Sequence, residues 1–188
     1  MSVRVAPGGG WRGALRAELS ARSPVRLHNA PPQASAAVLV PIVEREGELF
    51  VWLVERAAHL RKHAGEVAFP GGKRDEVDAD LVAMALREAS EEVGLDDAEI
   101  LGALDDVLTL TGFGVTPVVA AVEADWVPRP NADEVAAVFV APLGRFLGRP
   151  AWSARFGFGV GDHWVWGATA KMACACAAIA AKALPAQR

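Results

Sequence analysis

Three carboxylates crowd one short run of this chain, Arg87-Glu88-Ala89-Ser90-Glu91-Glu92-Val93-Gly94-Leu95. If the run is helical, Glu88 and Glu92 share a stripe and Glu91 lies beside them, because residues three and four apart are surface neighbours. Like charges at that spacing oppose the helix by about 0.2–0.5 kcal/mol per pair. Placed in the last turn, before Gly94, they also face the negative end of the helix dipole, at about 0.3–1 kcal/mol each. No Lys or Arg follows within a turn, and Arg87 points elsewhere unless its long side chain bends back. A solvated acidic helix end is one reading of these acids taken alone. The other is a bound cation. A hard divalent ion takes oxygen ligands, keeps waters, and joins one or two carboxylates to a substrate phosphate.

The residues upstream favour the cation. Gly71-Gly72 permits close backbone approach to a ligand, and its carbonyls are candidate members of a metal shell. His59, Arg61, Lys62, His63, Lys73 and Arg74 bring positive charge near the acids in sequence. A metal beside cations suits a polyphosphate ester.

These groups need elements to hold them. Helical periodicity begins near Asp78 or Asp80, either of which is a candidate cap, and stops at Gly94. Val82, Leu86, Ala89 and Val93, spaced 4, 3 and 4, form the stripe expected to pack on a sheet. Ala36 to Val43 and Leu49 to Val54 read as strands joined through Arg45-Glu46-Gly47-Glu48, a hairpin. Further strands are expected at Leu101 to Leu110, Val115 to Val122, Val135 to Val140 and His163 to Trp166. A short amphipathic helix is expected from Gly10 to Arg22, followed by a linker through Pro31 and Pro32. An Ala-rich helix is expected from Gly167 to about Leu184. Strands with a central and a terminal helix make a mixed α/β domain whose sheet includes hairpins.

Composition narrows the class of function. The 188 residues are 52% hydrophobic and 22% charged, which fits one compact domain and excludes disorder over most of the chain. The most apolar stretch, Met172 to Ala181, is too short to span a bilayer. The formal net charge of -4 leaves no fold-wide basic footprint for nucleic acid, while a local basic patch would still serve a small anion. Met1 to Gly10 lacks a long apolar region, so no secretory signal is expected. The Arg-rich first thirty residues admit an organelle transit peptide, but Trp11, Leu15 and Leu19 recur as in an ordinary surface helix. Cys174 and Cys176 point in different directions on their helix and are expected to be reduced core residues, consistent with a cytoplasmic setting.

Gly71-Gly72 with Arg87 to Leu95 resembles the Nudix box, a Gly, five residues, Glu, seven residues, then REUxEExGU with U apolar. The second half matches at every specified position. Counting back from Arg87 puts the first-half Glu at Ala79 and the Gly at Lys73, so the spacing here is one residue longer. Arg61, Gly65 and Phe69-Pro70-Gly71-Gly72 resemble the upstream signature of the coenzyme A pyrophosphatase subgroup, as do Gly112 to Pro117, Asp133-Glu134-Val135 and Trp166 to Ala170. Leu53-Val54-Glu55 stands where that subgroup has LLT.

The resemblance implies a Nudix fold of α+β type: a mixed β-sheet sandwiched between helices, the box forming loop–helix–loop. Residues 31–188 would be the hydrolase domain, and 1–30 an N-terminal extension with a short helix. Glu88 and Glu92 would be the main ligands of Mg2+ or Mn2+, Glu91 a further ligand, and Gly72 would offer its carbonyl. Arg87 would orient Glu88. Glu91 is the first choice for the base that deprotonates water, and Glu134 the second. Arg61, His63, Gly65, Phe69 and Lys73 would meet a coenzyme A-like nucleoside diphosphate. The reaction implied is cleavage of the coenzyme A diphosphate to 3′,5′-ADP and 4′-phosphopantetheine or its acyl form. ADP-ribose, NADH or a dinucleoside polyphosphate are alternative substrates, and a non-catalytic ligand sensor is an alternative of another class. Neither nucleic acid nor membrane is an expected partner, and a homodimer is compatible with the chain.

Overall fold

A computed structural model describes residues 2–5, 10–27, 35–109, 112–148 and 157–184. The chain runs α1 (Trp11–Ser20), β1 (Ser35–Arg45), β2 (Glu48–Arg56), β3 (Val67–Ala68), β4 (Gly71–Lys73) and α2 (Leu81–Val93). It continues through β5 (Glu99–Ala103), β6 (Val107–Leu108), β7 (Gly114–Ala121), β8 (Val135–Pro142) and a 3-10 turn at Leu143–Phe146. A hairpin of β9 (Gly157–Val160) and β10 (His163–Trp166) leads into α3 (Gly167–Ala183).

The main sheet has eight strands, along the path β3-β2-β1-β7-β5, with β4 on β1, β6 on β7 and β8 on β2. β1 and β7 run parallel, and the other pairings are antiparallel. The sheet is therefore mixed, as expected. β7 is buried along its whole length and is apolar apart from Thr116, the pattern of a central strand covered on both faces.

Two apolar layers make it a sandwich. α2 closes one face over Ala37, Leu39, Val54 and Val118. α1 and α3 close the other over Val40, Ile42, Leu53 and Val119. The apolar stripe of α1, Trp11, Leu15 and Leu19, is buried in that second layer. Arginines of α1 and of the segment after it answer acids far along the chain: Arg12 and Arg16 pair with Glu99, Arg22 with Asp105, Arg26 with Asp106. The same acids explain why the single strand expected from Leu101 to Leu110 is two strands. Asp105 and Asp106 also accept from the Val25 and Leu27 backbone N–H, so the segment between β5 and β6 turns its acids to the N-terminal segment while Leu104 and Asp106 still bond β7. The Pro31-Pro32 linker and Leu110 lie outside the described residues. No described helix is long and apolar enough to cross a membrane.

Candidate active site

The box helix is fixed at both ends by local chemistry. Asp80 is the cap: its Oδ1 accepts from the Val82 and Ala83 N–H at 2.9 and 2.8 Å. Gly94 ends the helix in the left-handed region, φ 67°, which glycine enters without steric cost. The expected stripe is rotated, however. Ala89 and Val93 are buried, but Val82 and Leu86 are only half-buried, and Met84, Ala85 and Glu92 complete the buried face. The helix packs on both β1 and β4, and its buried face carries Glu92 into the interior.

Glu92 is 2% exposed. Its Oε2 accepts the Gly71 N–H at 3.0 Å, and its Oε1 lies 3.4 Å from Arg56 Nη1. Burial pushes its pKa up to about 7, against the opposing pull of the Gly71 N–H and Arg56; the charges of Glu88 and Glu134 push the same way as burial. Glu88 is likewise raised, chiefly by burial, with Arg87 opposing and Glu91 and Glu134 adding. Glu134 thus belongs to the same charge cluster, though more than forty residues separate it from Glu88 in the sequence.

Gly71 and Gly72 are not the loop that was expected. They form β4, where Gly72 pairs with Ala37 and Gly71 with Val38 of β1. The Glu88 carboxylate rests where a Gly72 Cβ would be, so any side chain there would strike it. At Gly71, φ 155°, a Cβ would instead strike the backbone of Ala37 and Val38, so glycine is needed there for the close approach of β4 to β1.

Arg87 bends back after all. Nη1 donates to Glu91 Oε2 at 2.9 Å and Nη2 to Glu88 Oε1 at 3.0 Å. Nε and Nη2 together grip both oxygens of Asp78, at 2.9 and 3.0 Å. One guanidinium therefore offsets the acidic helix end and sets the direction of two of its carboxylates. Its own pKa is raised, Asp78 being the main cause, and Asp78 is held below the ordinary carboxylate range by Arg87. Counting back from Arg87 falls on Ala79, with acids at Asp75, Asp78 and Asp80 around it, and Asp78 is the one that meets Arg87. Counted forward from Gly72, it stands after five residues, so the extra residue lies between Asp78 and Arg87. Arg56 was missed; nothing local marks a cation at the end of β2 as a partner of Glu92.

The basic loop splits. Ala57 N–H donates to Glu134 O at 2.9 Å, and His59 Nε2 lies 3.0 Å from Asp133 O, which ties the loop to the Glu134 turn. Arg61, His63 and Gly65 are exposed, and His63 Nδ1 pairs with Glu66 at 2.9 Å; neither Arg61 nor His63 touches the box carboxylates. Lys73 is exposed, its Nζ 4.6 Å from the Phe113 ring centre. Phe69 corrects an expectation. It is 2% exposed and packs in the core under α1 and α3, so its ring offers no surface to a ligand.

The family model described as NUDIX domain matches residues 33–155. The chain belongs to the Nudix family. It is 48% identical over 126 residues to proteins named uncharacterized Nudix hydrolase NudL from Salmonella paratyphi B and Salmonella typhimurium, covering 66% of this chain. The match spans 65% of the length of those relatives. Among solved structures, the Nudix hydrolase RenU of M. smegmatis aligns with TM-score 0.50 at 23% identity, over 60% of this chain and 73% of that one. A Nudix hydrolase from Alicyclobacillus acidocaldarius aligns with TM-score 0.50 at 24% identity, over 58% and 78%. Both likenesses are of the fold.

The donors of this Nudix site suit a hard divalent ion. They are oxygens, the carboxylates of the box among them, two on buried or largely buried side chains that repel one another. Among the described residues no three acids, histidines or cysteines already converge as a metal cluster. The carboxylates are instead held by this Nudix protein's own donors, Arg87, Arg56 and the Gly71 N–H.

Proposed function

We propose that the chain hydrolyses the diphosphate of coenzyme A or its derivatives, giving 3′,5′-ADP and 4′-phosphopantetheine or its acyl form. The observation that carries the hydrolase reading is the pair of mutually repelling carboxylates, Glu92 buried and Glu88 set into the gap at Gly72, with Arg87 aiming Glu88 and Glu91. Glu88 and Glu92 would hold the divalent metal, Mg2+ or Mn2+, with Glu91 and the Gly72 carbonyl as further ligands. Once bound, it would supply Lewis-acid polarisation of the diphosphate and offset developing charge.

The chain's own residues do the rest. Arg87, locked by Asp78, keeps Glu88 and Glu91 from swinging away, a supporting role of the kind that orients metal ligands. Glu91 is 57% exposed with one oxygen fixed by Arg87, so its carboxylate is accessible and oriented to take a proton from water. Glu134 stands by as the second candidate base. Arg61, His63 and Lys73, each exposed, are the basic groups available to meet the phosphates. Residues 31–188 make up the hydrolase domain, residues 1–30 extend it, and the protein works in the cytoplasm.

Coenzyme A is favoured because Arg61, Gly65 and Phe69-Pro70-Gly71-Gly72 resemble the signature of the coenzyme A pyrophosphatase subgroup, within which Phe69 serves the core. A second reading, another nucleoside diphosphate derivative such as ADP-ribose or NADH, is motivated by Leu53-Val54-Glu55. Here Glu55 pairs with His163 at 2.9 Å, and His163 stacks on Phe139. The altered residue is therefore engaged with the terminal hairpin and not with the box. Product mass spectrometry after turnover in H2(18)O identifies substrate and attacked phosphorus together. Coenzyme A cleaved no faster than ADP-ribose would favour the second reading; no phosphorylated product with Mg2+ or Mn2+ would refute both.

A further inference from the structure

Arg56 and Arg87 are the two guanidinium groups on the box carboxylates, and they are engaged very differently. Every face of Arg87 is taken by Asp78, Glu88, Glu91 or the Lys73 carbonyl. Arg56 is held just as firmly by its backbone. Its N–H donates to Glu66 O at 3.0 Å and its carbonyl accepts from Gly65 N at 3.1 Å, where the register with β8 shifts between Glu55 and Arg56. Its side chain is nonetheless under-used. Nη1 reaches Glu92 Oε1 only at 3.4 Å, beyond the usual range for a strong bond. Nε is buried and has no acceptor. An unmet buried donor is costly, and the placement of this one invites an acceptor that the protein does not itself supply.

We propose that Arg56 is an exchangeable counter-cation. It sits on Glu92 while the divalent ion is absent, yields the carboxylate when the ion binds, and then gives its guanidinium to an oxygen of the substrate diphosphate. The inference rests on the reading of Glu92 as a metal ligand and of a diphosphate as substrate. A guanidinium suits the second partner, since its planar fork matches phosphate oxygens. Charge suits the first: a cation on Glu92 opposes a divalent ion at the same carboxylate, so removing it favours the ion.

The two effects have opposite signs, which separates this role from simple support of the fold. Damage to the site would weaken metal and substrate alike. The test uses the full chain, with free Mn2+ followed by electron paramagnetic resonance and coenzyme A hydrolysis followed at saturating metal. Arg56→Gln should lower the Kd for Mn2+ about fivefold or more, while KM for coenzyme A rises about tenfold. Arg56→Lys keeps the charge but not the fork. Its Mn2+ Kd should stay within about twofold of the natural protein, with KM still raised several-fold. If Arg56→Gln does not fold, Arg56→Lys decides alone, and an unchanged KM overturns the proposal. In folded Arg56→Gln, Mn2+ binding that is no tighter, or a KM that does not move, also overturns it. Glu92→Gln tests the underlying reading separately: Mn2+ affinity equal to that of the natural protein would remove Glu92 as a ligand, whatever Arg56 does.

Discussion

Replacing Glu92 by Gln should erase a pH dependence of stability that the metal-free protein owes to this one side chain. Burial raises the Glu92 pKa from an ordinary 4.5 to about 7. A carboxyl whose pKa is raised by folding binds its proton more tightly folded than unfolded. Ionising it therefore removes stability as pH rises above its unfolded value, and the loss levels off once pH passes the folded value. At 1.36 kcal/mol per pKa unit, the loss amounts to about 1 kcal/mol at pH 5.5 and about 3 kcal/mol at pH 8. The difference between those two conditions is about 2 kcal/mol. Gln keeps an oxygen for the Gly71 N–H and cannot ionise, so its stability should lack this slope. The assay is urea unfolding of both proteins at both pH values with excess EDTA. Effects of the substitution that do not depend on pH cancel in the double difference, as do the histidines common to both proteins. Parallel stability profiles for the two proteins would refute the burial argument. With metal restored, the same substitution should cut kcat at least about a hundredfold while the fold persists; near-normal turnover at saturating Mg2+ would sink the ligand assignment.

Gly72→Ala drives a methyl group into the Glu88 carboxylate, and a displacement of that size at a reacting centre should lower kcat about a hundredfold; unchanged turnover would show that Glu88 need not lie against β4. Asp78→Asn weakens the grip on Arg87 and should lower kcat about tenfold or more with little change in the circular dichroism spectrum, so normal turnover would show that Arg87 is oriented without it. Asp80→Ala removes the helix cap and should cost about 1 kcal/mol in urea unfolding, with kcat nearly unchanged; a stability within error of the natural protein would contradict the capping role. Burial pushes the Cys176 thiol up to about 12, so it should react with a thiol reagent at neutral pH only on unfolding, and fast labelling of the native protein at that residue would contradict its burial.

What the sequence determined by itself is local chemistry. The sequence narrowed the α2 cap to Asp78 or Asp80 and placed the stop at Gly94, because both act through backbone groups within a turn; the structure assigns the cap to Asp80. The hairpin of β1 and β2 follows from two apolar runs and a short turn. The second half of the box was legible because Arg87, Glu88, Glu91 and Glu92 sit at helical spacing, where neighbours can be worked out without knowing the rest of the fold. The tertiary structure decided which of those carboxylates is buried, because the rotation of α2 depends on the strands it packs against. Gly71-Gly72 reads as a loop until β1 is there to pair with it. Asp78 on Arg87, Arg56 on Glu92 and Glu134 beside both acids are charge contacts across turns and strands, set by the chain path and not by spacing. The Arg-rich N-terminal segment shows the same division. Its apolar stripe announced a helix, but Glu99, Asp105 and Asp106, which answer its charges, lie about eighty residues onward and are brought within reach only by the packing of α1 on the sheet.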